Sequence, residues 1–109
     1  MGAITVLGQI TCQNSEEITA VQMIPFPAEG NSAVCVGTVF FRPNEREPSQ
    51  GRLLLITAES DATTARGQWK KNSEMNINGC VYALAHVNGL LAASIGSSVS
   101  VRLFSIFFA

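Results

Sequence analysis

The chain has 109 residues, which is enough for one small domain with a modest hydrophobic core. Charged residues make up only 14% of it, against roughly 25% in an average soluble domain, so the composition predicts part of something larger whose faces neighbouring segments cover. The net charge of -1 and the scarcity of Lys and Arg exclude a strong electrostatic footprint for nucleic acid.

The dominant pattern along the chain is a series of short apolar runs separated by turn residues, which predicts strands. The first run is expected to end at Pro25, because proline cannot donate a hydrogen bond to a sheet. The second and third runs are continuous and apolar, which predicts strands buried on both faces, whereas the fourth is more polar and predicts an outer strand with one wet side. The predicted strands cover residues 16–24, 32–41, 52–59, 65–72, 80–87, 90–96 and 97–106.

Turn residues recur at intervals typical of all-β proteins, and no stretch shows a long helical pattern. Asn88-Gly89 is the clearest turn, since this dipeptide favours a tight hairpin. Residues 32–59 and 80–106 share a strand–turn–strand pattern, and their spacing falls in the range of β-propeller repeats. On pattern alone, a β-propeller fragment and a β-sandwich remain equal alternatives.

The three cysteines, Cys12, Cys35 and Cys80, lack the close spacing of a zinc site. An odd number of cysteines without a signal peptide suits a reducing compartment, and the apolar runs around Cys35 and Cys80 predict buried thiols. The opening MGAITV lacks the myristoylation pattern. Polar residues interrupt the apolar C-terminal third every few positions, which argues against a membrane span.

No combination of residues indicates catalysis, so we expect no enzyme activity, no cofactor and no metal site. His86 is the only histidine, and without a partner at a readable spacing it is interpreted as a half-buried or edge residue rather than a general base. The serines between Ser94 and Ser100 lack a nucleophile elbow and predict a hairpin turn.

Charged residues concentrate in the connection between the second and third predicted strands, from Arg42 to Arg52. Pro43 and Pro48 keep this connection out of the sheet, and its charges are interpreted as the water-facing side of a hairpin loop. Two carboxylate pairs are likewise interpreted as solvated rather than catalytic: Glu16/Glu17 and Glu45/Glu47.

Trp69 and Tyr82 are large aromatic residues with a polar group, a type that often anchors protein interfaces. Tyr82 lies on the predicted strand 80–87, which in a propeller would be the first strand of a blade and line the central channel. Tyr82 is therefore a candidate partner-binding residue, with a packed core tyrosine as the alternative.

Three stretches, VCVGTVFFRPNEREPSQGRLLLI, NGCVYALAHVNGLLAASI and VRLFSI, resemble segments of one known family in order and spacing. That family contains the large subunit of the UV-damaged DNA-binding protein and the A subunit of the cleavage-and-polyadenylation factor. The resemblance covers nearly the whole chain, and its E-P-x-Q-G-R spelling favours the DNA-repair branch. The most specific positions are Val36, Gly37, Thr38, Glu47, Pro48, Gln50, Gly51 and Arg52.

The resemblance implies a WD40-like β-propeller fragment with antiparallel sheets, taken from a C-terminal propeller region of a large protein. On this interpretation residues 1–15 end one blade, residues 16–72 form one four-stranded blade, and residues 79–106 supply three strands of the next. The tail IFFA departs from the family pattern, which continues into a charged turn.

The resemblance also implies a non-catalytic scaffold segment of a nuclear and cytoplasmic adaptor. Such an adaptor links a cullin-RING ubiquitin ligase to substrate receptors and to DNA damage recognition, with nucleic acid bound indirectly or through the complete protein. One alternative is an RNA-processing subunit of the same family, acting in cleavage and polyadenylation or in splicing. The other is an independent small β-sandwich or barrel that binds a ligand.

Overall fold

The computed structural model describes residues 2–4, 9–26, 31–59, 68–96 and 101–105. Strands in these ranges form two antiparallel sheets, the first with the order β1-β2-β3-β4 and the second with the order β5-β6-β7. None of the same residues forms a helix with the length and hydrophobicity needed to cross a membrane. The strands are β1 (Glu16–Phe26), β2 (Asn31–Phe40), β3 (Gly51–Glu59), β4 (Gln68–Ile77), β5 (Val81–Val87), β6 (Leu90–Ile95) and β7 (Val101–Ser105).

The central strands β2 and β3 are buried on both faces near their middles, as their continuous apolar sequences predict. Val36 pairs with Leu54 on one face of the first sheet, and both side chains are buried. Cys35 and Leu53, which point to the other face, are buried as well. The all-β prediction is thus confirmed by strands within each predicted run.

β1 continues through Pro25 to Phe26, so the prediction that it ends at Pro25 is wrong. Pro25 pairs with Ser32 of β2 in an antiparallel register. β1 is an edge strand of the first sheet. An edge strand tolerates proline, because half of its backbone N–H groups face away from the sheet and need no ladder partner.

β4 forms the other edge of the first sheet, and its residues 71–76 are exposed, which confirms the prediction of a wet outer strand. The strand reaches Ile77, further toward the C-terminus than the predicted range 65–72. Residues 65–67 of that prediction lie outside the described residues, as do 97–100 and 106 of the last predicted strand.

The hairpin prediction at Asn88-Gly89 is confirmed, since these two residues connect β5 and β6. Both have positive φ, 48° for Asn88 and 79° for Gly89, which is the combination that a tight hairpin turn requires. The predicted serine turn between β6 and β7 lies largely outside the described residues.

One hydrophobic core lies between the two sheets. Antiparallel partners point to the same face, and the face of the first sheet that carries Ile24, Ala33 and Leu53 packs against the second sheet. The first strand of the second sheet, β5, contacts β1, β2 and β3. The cluster consists of Ile24, Ala33, Cys35, Leu53, Ile77, Val81, Leu91, Ala93 and Ile95, with Leu55, Leu84 and Phe104 packed around it.

Two glycines permit this close approach of the sheets. A Cβ at Gly37 would lie 2.5 Å from Cγ1 of Val81 on β5, so no side chain fits between β2 and β5 there. A Cβ at Gly51 would lie 2.3 Å from the carbonyl oxygen of Thr38 and 2.8 Å from that of Gly79. The glycines of the V-G-T and G-R motifs therefore lie where neighbouring atoms leave no room for a side chain.

The two faces that point away from the core also carry apolar side chains. On the first sheet, Val21 and Met23 are each 59% exposed. On the second, Val101 and Leu103 are each 63% exposed and Val87 is half-exposed. Both sheets thus present apolar side chains to solvent on their outer faces. This agrees with the low content of charged residues in the chain, which predicted surfaces that neighbouring segments cover.

Candidate partner-binding surface

A buried ion pair lies at one end of the first sheet. Glu16 opens β1 and Arg52 lies at the start of β3, and the guanidinium donates two hydrogen bonds of 2.6 Å to the two carboxylate oxygens. Both residues are buried, at 6% and 5% exposure. The interpretation of Glu16 as a solvated carboxylate is therefore wrong, and so is that of Arg52 as a water-facing loop charge.

The same network takes at least one side chain from each strand of the first sheet. The hydroxyl of Thr38 on β2 donates to Glu16 at 2.6 Å and accepts the backbone N–H of Arg52 at 3.0 Å. The guanidinium of Arg52 also donates to Glu74 on β4 at 2.6 Å, and Lys71 pairs with Glu74 on the exposed side. These bonds join the four strands at one end of the sheet. They also pair the buried charges, which would destabilise the fold if they were left unpaired.

The turn before β1 completes the coordination of Glu16. The backbone N–H of Gln13 donates to its carboxylate at 2.8 Å, and Ser15 has a positive φ of 63° that closes this turn. Burial alone raises the pKa of Glu16, but the hydrogen bonds from Arg52, Thr38 and Gln13 outweigh it and lower the pKa to about 2. The carboxylate of Glu16 in turn raises the pKa of Arg52, so this pair stays ionised.

Tyr82 lies near the start of β5. The register shifts between Val81 and Ala83, so Tyr82 occupies a bulge, and its side chain is 49% exposed. Partial burial raises the pKa of Tyr82, and Cys80 and Glu47 act in the same direction. Glu47 belongs to the β2–β3 loop, which places Tyr82 near that loop at the same end of the molecule.

The bulge of β1 meets β5 at this point. The register of β1 shifts between Ile18 and Ala20, and the Thr19 hydroxyl between them lies within hydrogen-bonding distance of the carbonyl oxygens of Val81 and Gly37. One hydroxyl proton can serve one of these acceptors at a time. Thr19 thereby links the edge strand of the first sheet to β5 and fixes the position from which Tyr82 projects.

The structure shows how far the other residues singled out in the sequence are buried. Cys35 and Cys80 are each 3% exposed, which confirms the buried-thiol prediction. Burial raises the pKa of Cys35 to about 11 and also raises that of Cys80. His86 is half-buried, in agreement with its interpretation, and Trp69 is half-buried on β4. In the described part of the chain, no three acidic, His or Cys side chains are grouped as a metal site.

Three segments lie together at one end of the first sheet: the β2–β3 loop (residues 41–50), the turn before β1 and the connection from β4 to β5. We call this the loop end of the sheet, and it contains a polar cleft of about 430 Å³. Arg42 and Gln50 come from the loop, Gln13 from the turn, and Asn76 and Asn78 from the end of β4 and the connection. Phe40, Ile77 and Gly51 line it as well.

Sequence reasoning missed both the ion network and this cleft. Glu16 and Arg52 are separated by 36 positions, and nothing local in the sequence pairs them. The available signal was the position of Arg52 in the family motif.

The fold and this surface define a class of protein. Two antiparallel meanders that pack face to face and are apolar on both outer faces are the arrangement of adjacent β-propeller blades. The chain belongs to the family described as the CPSF A subunit region, whose model matches residues 3–105. The β-propeller prediction and the family resemblance are confirmed, and the β-sandwich alternative is wrong.

Matches to individual proteins support the family assignment. The chain is 35% identical over 74 residues to DNA damage-binding protein 1b of Arabidopsis thaliana and to DNA damage-binding protein 1 of Oryza sativa subsp. japonica. It is 32% identical over 74 residues to DNA damage-binding protein 1 of Solanum lycopersicum. Each match covers 68% of this chain and 6% of the relative, so the chain spans only a small part of these proteins.

Proposed function

We propose that this chain is a non-catalytic scaffold segment of a multi-propeller adaptor that acts in DNA damage recognition. The observation that carries the proposal is the pair of packed sheets with apolar side chains exposed on both outer faces, in a chain of this family. Exposed apolar faces of this kind are stable when further blades cover them. The segment then acts by shape and docking.

Each sheet corresponds to one blade in this proposal. Residues 16–72, together with the rest of β4, form a four-stranded blade, residues 1–15 end the preceding blade, and residues 79–106 give three strands of the next. A cleft of about 300 Å³ lined by Leu55, Met75, Leu91 and Phe104 supports this assignment. It lies where a fourth strand of the second sheet, paired with β7, would face β4.

The relatives are named DNA damage-binding proteins, which supports a role in damage recognition. In our proposal the complete adaptor is nuclear and cytoplasmic and links a cullin-RING ubiquitin ligase to substrate receptors. The net charge of -1 favours contact with DNA through the complete protein rather than through this segment. The half-exposed Tyr82 is the residue we propose for partner contact at the loop end.

A chimera tests this proposal. Residues 3–105 of the chain replace the matched region of the Oryza sativa relative, and the purified chimera is assayed for binding to ligase substrate receptors. We expect retained binding, and weaker binding for the Tyr82→Ala variant because an aromatic anchor is lost. The matched control is Val87→Ala, a half-exposed side chain at the other end of β5.

One result would overturn the scaffold proposal, and another would overturn only the role of Tyr82. A chimera that is folded by gel filtration and thermal unfolding but binds no receptor would exclude the adaptor role for this segment. Equal binding by Tyr82→Ala and the unchanged chimera would exclude Tyr82 as a contact residue while leaving the scaffold assignment in place.

A second candidate is an RNA-processing subunit acting in cleavage and polyadenylation or in splicing. The family description, which names the CPSF A subunit, favours it. The same chimera approach separates the two candidates, with an A subunit of a cleavage-and-polyadenylation factor as a second host. A segment that supports partner binding in that host, and no receptor binding in the Oryza sativa relative, belongs to the RNA-processing branch.

A further inference from the structure

The polar cleft at the loop end of the first sheet has an unusual lining. Among the described residues, its polar side chains are the guanidinium of Arg42 and four carboxamides, and none is a carboxylate. Phe40 and the buried Ile77 and Gly51 complete the lining. The four carboxamides belong to Gln13, Gln50, Asn76 and Asn78.

Most of these polar groups have hydrogen-bonding capacity to spare. Arg42 donates to the side-chain oxygen of Gln50, which orients the guanidinium, and forms no ion pair with any residue that the structure describes. The side-chain amides of Gln13, Asn76 and Asn78 form no hydrogen bond to another described residue. The cleft therefore presents one cation and several amides that can both donate and accept.

The nearby acidic residues do not neutralise Arg42. Glu45 is the nearest in sequence, and its Oε2 accepts a hydrogen bond from Ser49. Glu47 lies near Tyr82, whose pKa it helps to raise. Glu16 and Glu74 are paired with Arg52 instead. The positive charge of Arg42 thus remains available to a ligand.

We propose that this cleft binds an extended acidic peptide segment. A Glu or Asp side chain of the peptide pairs with Arg42, because a guanidinium matches a carboxylate in shape and charge. The carboxamides of Gln13, Asn76 and Asn78 hydrogen-bond to the peptide backbone, whose N–H and C=O groups have the same donor and acceptor pattern as an amide side chain. Phe40 and Ile77 provide the apolar base for the stem of a side chain.

The lining favours a peptide over a nucleic acid. Strong phosphate-backbone binding needs several cations, and this cleft contains one in a chain with a net charge of -1. The amide side chains of the lining suit a polypeptide backbone instead. This inference goes beyond the scaffold role, since neither Arg42 nor the carboxamides take part in the test of that role.

Nuclear magnetic resonance of the 15N-labelled chain tests the proposal. The probe is the peptide acetyl-Gly-Ala-Glu-Ala-Gly-amide, and its counterpart with Gln in place of Glu is the uncharged comparison. We expect the side-chain signals of Arg42, Asn76 and Asn78 to shift with the Glu peptide, and about tenfold weaker binding of the Gln peptide because the charge-assisted pair is lost.

Two variants separate the cleft from general charge effects. Arg42→Gln should weaken binding of the Glu peptide by about tenfold, to the level of the Gln peptide. Arg46→Gln makes the same charge change in the same loop at an exposed residue outside the cleft lining, and it should leave binding unchanged. The dispersion of the backbone signals shows whether each variant is folded.

Three outcomes would overturn the proposal. The first is equal affinity for the Glu and Gln peptides, and the second is a set of shifts located away from the cleft. The third is displacement of the peptide by a short single-stranded oligonucleotide at lower concentration than by unlabelled peptide, which would assign the cleft to nucleic acid.

Discussion

The carboxylate of Glu16 and the guanidinium of Arg52 lie 36 positions apart in the sequence and meet through two hydrogen bonds of 2.6 Å in the first sheet. This geometry is the bidentate form in which an Arg–carboxylate pair is strongest. Thr38 and Gln13 supply further donors to the same carboxylate. The desolvation cost of two buried charges is thus offset by bonds from β2, β3 and the turn before β1.

Replacing Arg52 with Met is expected to destabilise the chain by about 3–5 kcal/mol, because the carboxylate of Glu16 would remain buried without its cation. Urea denaturation followed by far-ultraviolet circular dichroism measures the change. The control is Arg46→Met, which removes an exposed charge and should change the free energy of unfolding by less than about 0.5 kcal/mol. A similar small effect at Arg52 would show that the pair contributes little.

The double variant Glu16→Gln/Arg52→Met separates a lost ion pair from an unpaired charge. With the carboxylate removed as well, part of the stability lost in Arg52→Met should return, since a neutral amide is less costly to bury than an unpaired carboxylate. A double variant that is less stable than Arg52→Met would contradict this explanation.

Stability should fall in acid because of Glu16. Its pKa is about 2 in the folded chain against 4.5 for the free group, so the folded state holds the proton less tightly than the unfolded state. The resulting contribution, about 3 kcal/mol, is present above pH 4.5 and is lost as the pH falls from 4.5 toward 2. Glu16→Gln should flatten this part of the stability profile.

The measurement is urea denaturation at a series of pH values between neutral and pH 2. Glu74 also has a lowered pKa, but its exposed side chain is screened by solvent and contributes less to the slope. Glu17→Gln, an exposed neighbour on β1, is the control and should keep the slope of the unchanged chain. The same slope in Glu16→Gln would contradict the assignment.

The sequence predicted the strands well because each strand has a local signal. The continuous apolar runs of β2 and β3 and the Asn88-Gly89 turn specify burial and hairpin geometry through neighbouring residues. The predicted end of β1 was wrong because Pro25 is tolerated in a strand at the edge of the sheet, and which strand lies at the edge is a property of the assembled sheet. Local pattern carries no information on that position.

The burial of Glu16 and Arg52 could not be predicted, since it depends on the register that brings β1, β3 and β4 together. The motif residues Gly37, Thr38 and Arg52 served only as a family signature in the sequence. The structure gives each a physical role: Gly37 leaves room for the side chain of Val81, and Thr38 and Arg52 donate hydrogen bonds to Glu16. The cleft at the loop end was missed because its side chains come from three separate segments.

Cysteine reactivity should follow burial. Cys35 and Cys80 are each 3% exposed with raised pKa values, so little thiolate is present and access is restricted. Cys12 lies before β1 and is partly exposed. Brief treatment with iodoacetamide at neutral pH, followed by peptide mass spectrometry, should modify Cys12 first.

The control for reactivity is the same treatment in denaturing urea, where all three thiols should react at similar rates. Modification of Cys80 as fast as Cys12 in the native chain would mean that the contact between β5 and the first sheet opens readily. It would then contradict the close packing at Gly37 and Val81.

Gly37→Ala should destabilise the chain by about 1–3 kcal/mol, because the added Cβ would lie 2.5 Å from Cγ1 and 2.8 Å from Cβ of Val81. Val81 is fully buried, so it cannot turn aside into solvent, and the sheets must separate. Gly2→Ala is the matched control, since a Cβ there meets nothing within 4 Å.

In a double-mutant cycle, Val81→Ala removes the Cγ1 overlap and should make Gly37→Ala less costly than it is alone. Strictly additive free energies of unfolding, measured by urea denaturation, would show that the two sheets do not pack through this pair.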